Sequence, residues 1–177
     1  MSEMNTAEQE ARAAGLLAEP VATPLLENAT WDNTRVFVPP VEFGRVIKVY
    51  DGDTITVAAQ LMGQLYRFSV RIKGVDTPEM KGGGKLEKQA AKIVQKQLAS
   101  QIMNTNVVLK NVELEKYGRL LADVHFGPDH ASDVKTWLLE NNLALPYNGG
   151  TKQRLTGEEW KERVTGGGAA GAGAGTS

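Results

Sequence analysis

β-Branched and polar residues alternate from Arg45 to Tyr50 and again from Asp53 to Ala59, with Asp51-Gly52 between the two runs. Two such runs around an Asp-Gly pair predict a β-hairpin. A third strand is expected over residues 65–75, where Phe68, Val70 and Ile72 face one way and Arg67, Ser69, Arg71 and Lys73 the other. One face suits a core and the other is basic.

Gly82-Gly83-Gly84 ends the period of two, and Leu86, Ala90, Ile93, Val94, Leu98 and Ile102 then recur at helical spacing. Lys85, Lys88, Lys92 and Lys96 fall opposite, a stripe that reads as a solvated face. Residues 106–114 and 119–126 predict two more strands, joined through Glu115-Lys116-Tyr117-Gly118. A second helix is expected from about Ser132, on Val134, Trp137, Leu138 and Asn141. A third opens at Thr156, where Glu159 completes the spacing of a capping box and Trp160 and Val164 follow. Five strands in mostly meander order with about three α-helices predict an α+β fold, a five-stranded OB-type antiparallel β-barrel.

The flanks have a different character. Residues 1–42 show no strand alternation and end near Pro39-Pro40, which excludes a central strand there. A short Ala-rich helix over 6–18 is conceivable, but the segment reads mainly as an acidic N-terminal arm or linker. Residues 165–177 are a Gly/Ala-rich tail without side chains to build a core, and disorder is expected. The folded domain is therefore placed at 43–164.

Dividing the chain this way changes the meaning of its net charge of −1. The arm holds two arginines against seven acids, net −5, whereas residues 43–164 hold 18 bases against 14 acids, net +4. A basic domain favours an anionic partner, and the acidic arm suits a linker, a protein partner or a mask over the basic surface. The absence of cysteine excludes disulfides, thiolate metal sites and a cysteine nucleophile. No apolar run reaches membrane-spanning length, and the first residues carry acids where a secretory signal needs bases. A cytoplasmic setting is the expectation.

Candidate chemistry sits at predicted strand ends. Asp51 and Asp53 flank the first hairpin turn, and Asp76 and Glu79 lie in Val75-Asp76-Thr77-Pro78-Glu79. Facing carboxylates raise one another's pKa unless a cation lies between them, and a hard divalent ion resolves that repulsion. On spacing alone, a turn and a cap are the readier account of these acids. Arg71 and Arg119 bring permanently charged guanidinium groups that can grip two phosphate oxygens each; a surface role or structural ion pair is the alternative for either. His125 and His130 have no spacing partner, so histidine-based catalysis is not expected.

Together, Asp51-Gly52-Asp53-Thr54, Arg71 followed by Val75–Glu79, and Lys116-Tyr117-Gly118-Arg119 resemble the staphylococcal nuclease (thermonuclease) family over about residues 43–164. The resemblance implies a Ca²⁺-dependent, sugar-nonspecific nuclease that hydrolyses DNA and RNA, prefers single-stranded or frayed substrate, and leaves 3′-phosphate ends. It implies that Asp53 and Asp76 bind the ion through side chains and Thr77 through its carbonyl, with Asp51 behind them. Glu79 becomes the general base or water-orienting group, and Arg71 and Arg119 hold the scissile phosphate. Lys116, Tyr117 and Tyr147 become nucleotide contacts. The short Gly-rich loop after Glu79 and the acidic arm depart from the family's pattern. A catalytically silent nucleic-acid or protein-binding module, or a structural subunit of a larger assembly, is the alternative use of the same barrel.

Overall fold

A computed structural model describes residues 23–82 and 84–166; the possible helix over 6–18 and the Gly/Ala-rich stretch after Gly166 lie outside them. The chain divides into two units, Met1–Phe37 and Val38–Ser177. Within the described part of the first, Thr23 caps a single helical turn, α1 (Pro24–Glu27). A local knot follows, in which Thr30 N–H donates to Asn33 Oδ1 and Asn33 Nδ2 donates to the Asn28 carbonyl.

The second unit follows the predicted order. It contains β1 (Phe43–Val49), β2 (Thr54–Leu61), β3 (Gln64–Ile72), β4 (Val75–Asp76), α2 (Lys85–Ile102), β5 (Asn106–Leu114) and β6 (Leu120–Phe126). Then come β7 (Ser132–Asp133), α3 (Val134–Glu140), β8 (Leu145–Pro146) and α4 (Gly157–Gly166). The sheet runs β3-β2-β1-β5-β6-β7, and β3 pairs again with β6 to close a barrel of the five long strands.

The expected barrel differs in one respect from a wholly antiparallel one. Its closing seam is parallel, with Val70 opposite Leu120, Arg71 opposite Leu121 and Ile72 opposite Ala122. Parity requires this. Strand directions alternate around β3-β2-β1-β5-β6, so the first and fifth strands point the same way and must meet in parallel.

Core residues come from the predicted faces. Val46, Ile55, Val57, Val70, Ile72, Val107, Leu109, Leu120 and Val124 are buried, and α2 adds Ala90, Ala91, Val94, Leu98 and Ile102. The four lysines of the opposite α2 face are exposed. Val41 is also buried, and Leu109 N–H donates to the Glu42 carbonyl, so residues just before β1 pack with this unit. Burying a large aliphatic side chain contributes about 1.5–3 kcal/mol.

Two short features position the site. The β4–β8 ribbon sets Val75 opposite Pro146 and Asp76 opposite Leu145, and Tyr147 N–H extends it by donating to the Gly74 carbonyl. The predicted capping box forms at α4, with Thr156 N–H donating to Glu159 Oε2 at 2.7 Å and Glu159 N–H donating to Thr156 Oγ1 at 3.2 Å. Trp160 and Val164 of α4 are buried.

Hydrogen bonds from Thr156 hold the Glu159 carboxyl below its ordinary value of 4.5. Its contribution to stability is therefore present above that value and is lost as pH falls through the lowered folded pKa. Thr156→Ala is expected to lower unfolding free energy by about 1 kcal/mol in denaturant titration. Glu159→Gln should abolish this carboxyl's share of the decline in stability on acidification, read from melting temperature against pH.

Candidate active site

The turn after β1 explains how the first acids are placed. Tyr50 N–H and Asp51 N–H both donate to the Thr54 carbonyl, and Asp53 N–H donates to Asp51 Oδ1 at 3.2 Å. Asp51 thus closes the turn with its side chain, which leaves Asp53 immediately before β2. Gly52 serves by size. A Cβ there would stand 2.6 Å from Val94 Cγ1 and 2.8 Å from the Thr77 side chain, so the turn passes directly over α2 and the segment after β4.

Barrel register supplies the arginines. Thr54 lies opposite Arg71 on β3, and Ile72 N–H donates to the Asp53 carbonyl at 2.8 Å. Arg71 Nη2 then stands 3.0 Å from Asp53 Oδ2 and 3.9 Å from Asp76 Oδ1. The parallel seam brings Arg71 beside the start of β6, where Arg119 precedes Leu120. Glu115 links the two arginines: its Oε2 accepts from Arg119 Nε at 2.8 Å, and its Oε1 lies 4.0 Å from Arg71 Nε.

Lys152 completes the cluster from the loop after β8. Its Nζ lies 2.6 Å from Asp76 Oδ1 and 2.9 Å from Glu79 Oε1. The latter contact is a hydrogen bond. The contact to Asp76 is an ion pair whose angle is not that of a hydrogen bond, so Oδ1 stays buried without an aligned donor. Glu79 is further fixed by its N–H, which donates to Glu87 Oε1 of α2 at 3.1 Å.

Asp53, Asp76 and Thr77 are all buried. Burial pushes the Asp53 carboxyl up to about 7; Arg71 and the Thr54 hydroxyl oppose the rise, and Asp51 adds to it. Burial draws Lys152 down, but the Asp76 and Glu79 carboxylates beside it outweigh that and raise its pKa above the usual lysine value. Four carboxylates of the network thus meet three cations, with Asp51 adding another negative charge beside Asp53. Within this network Asp53 and Asp76 are the buried carboxylates, and two buried carboxylates suit a hard cation with oxygen ligands. Among the described residues no three acidic or histidine side chains converge in a metal cage. An ion here would be held by two carboxylates supplemented by backbone or solvent oxygen.

The structure therefore gathers Asp51, Asp53, Arg71, Asp76, Thr77, Glu79 and Arg119 at one end of the barrel. Tyr147 lines an adjacent basin of about 550 Å³ together with Arg71, Gly74 and Glu115. Its hydroxyl donates to the Gly150 carbonyl at 3.2 Å. Lys116 and Tyr117 are not drawn in; they occupy a solvent-facing 3-10 turn, and Tyr117 is 95% exposed with a left-handed φ of 72°. Glu115 and Lys152 were missed by sequence reasoning. Glu115 adjoins a quoted motif but gave no sign that it would face both arginines. Lys152 lies 73 residues beyond Glu79, and nothing in its local pattern reveals the ribbon that returns it.

A closed five-stranded barrel with flanking helices, and acids and arginines gathered at one end, defines an α+β fold of OB type. The sequence profile of staphylococcal nuclease homologues matches residues 69–163, and the chain belongs to that family. A Schizosaccharomyces pombe protein named as a probable endonuclease is 27% identical over 146 residues. The match covers 70% of this chain and 62% of that relative, so the chain spans less than two thirds of the relative's length. Among the described residues no helix is long and apolar enough to cross a membrane.

The close approach at the first turn has a direct test. Gly52→Ala should lower unfolding free energy by about 1–3 kcal/mol through overpacking against Val94 and Thr77. An unchanged denaturation midpoint would show that the turn has room to spare.

Proposed function

We propose that the chain is a Ca²⁺-dependent, sugar-nonspecific nuclease that hydrolyses phosphodiesters of DNA and RNA and leaves 3′-phosphate and 5′-hydroxyl ends. The observation that carries this reading is the joining of Asp53 and Asp76 to Arg71, with Arg119 held beside it through Glu115. Family membership and the relative named as an endonuclease support it.

Asp53 and Asp76, with the Thr77 carbonyl, would hold Ca²⁺, which supplies Lewis-acid neutralisation of phosphate charge. Arg71 and Arg119 exchange carboxylate partners for phosphate oxygens, and their fixed donors stabilise the extra charge that builds up as water attacks phosphorus. Glu79 accepts the proton of that water, the bond from phosphorus to the 5′-oxygen breaks, and the leaving oxygen takes a proton from solvent. As a base, Glu79 acts chiefly by position. Asp51 keeps the turn closed so that Asp53 stays in place. Tyr147 offers a ring at the adjacent basin for an unstacked base, a geometry that favours single-stranded or frayed substrate. Lys116 and Tyr117 meet the nucleotide from the rim. Residues 43–164 form the catalytic domain in this reading, and residues 1–42 offer a surface for a protein partner.

Incubation with single-stranded DNA and RNA in Ca²⁺ and in EGTA tests the assignment. Cleavage is expected in Ca²⁺ alone, and Arg119→Ala should lower turnover about 10²–10³-fold. Absence of Ca²⁺-dependent cleavage would favour a binding module instead. Glu79→Gln should reduce turnover far more than it weakens binding of a non-cleavable dinucleotide; equal losses would make Glu79 a scaffold residue.

A further inference from the structure

Lys152 occupies an unusual place for a surface-loop lysine. Its ammonium sits between Asp76 and Glu79, and its side chain is only 36% exposed. Arg71 already compensates Asp76 from the barrel side at 3.9 Å, so Lys152 adds a second cation to a carboxylate assigned above to a divalent ion.

The segment bearing Lys152 has the means to move. Gly149 and Gly150 precede it with φ values of 87° and 86°, and no other group lies within 4 Å of where a Cβ would stand on either. Two consecutive left-handed glycines in open space permit backbone rotation that other residues resist. Beside the lysine lies a cavity of about 320 Å³, lined by Asp76, Thr77, Glu79, Lys81, Lys152 and Trp160, among others. It gives the ammonium somewhere to go without leaving the site.

We propose that Lys152 is a tethered counter-cation that competes with the divalent ion for Asp76, so that metal loading requires the lysine to release that carboxylate. The inference rests on the assignment of Asp76 as a metal ligand. In the metal-free protein Lys152 offsets carboxylate repulsion that would otherwise destabilise this end of the barrel. A doubly charged ion at the Asp76 carboxylate gains more there than an ammonium does, and it displaces the lysine once its concentration suffices. The lysine thereby sets a metal threshold.

Isothermal titration of the full chain with calcium chloride, without nucleic acid, tests this. Lys152→Met keeps most of the side-chain volume and removes the charge, and it is expected to tighten calcium binding about tenfold by removing the competing cation. Lys152→Arg should stay near the wild-type affinity. Lys81→Met serves as the control for long-range charge, since Lys81 lines the same cavity with no ion pair to Asp76 or Glu79 among the described residues; its affinity should change less than about twofold. Thermal unfolding without calcium verifies that each variant is folded. Calcium binding that is equal or weaker in Lys152→Met would overturn the proposal and leave the calcium assignment intact. A chain that binds no calcium in either form would overturn both.

Discussion

The parallel seam between β3 and β6 is the constraint on which the rest of this molecule depends. Five strands that alternate in direction cannot close without one parallel contact, and here that contact puts Arg71 opposite Leu121, two residues beyond Arg119. Without closure the two guanidinium groups would belong to opposite edges of an open sheet. Hydrophobic burial of Val70, Ile72, Leu120 and Ala122 along the same seam provides the driving force. The packing that stabilises the barrel and the placement of its charges are therefore one event.

Those charges form a chain of compensation. Glu115 joins the two arginines, Arg71 joins Glu115 to Asp53 and Asp76, and Lys152 joins Asp76 to Glu79. A buried ion pair seldom stabilises more than an apolar replacement of the same shape, but removing one partner leaves a costly uncompensated charge. Under the proposed function, this arrangement is readiness for a charged ligand. Each carboxylate of the chain is held by at least one cation, and each cation by at least one carboxylate.

How much of this was readable beforehand varied with the range of the interaction. Strand alternation, helical spacing on α2 and the Thr156–Glu159 box are local, and local patterns predicted them. Asp53, Arg71, Asp76 and Glu79 were legible as candidates because each sits in a short motif near a strand end. Gly52 was read as a residue of turn conformation, whereas contacts with Val94 and Thr77 require its small size. The closing seam follows from counting strands, but the count does not say which side chains flank it. Lys152 was invisible, because only the β4–β8 ribbon brings it back to residues far earlier in the chain.

That ribbon has a further implication for the loop it launches. Residues 148–156 start from Tyr147, which is bonded to Gly74, and end at the cap of α4, where Gly157 packs so closely on the start of α2 that a Cβ would lie 3.0 Å from Glu87 N. Pinned at both ends, the loop behaves as a ruler. Adding or deleting a residue within it would shift the reach of its side chains toward Asp76 while leaving the barrel untouched, so loop length is itself a tunable property of the site.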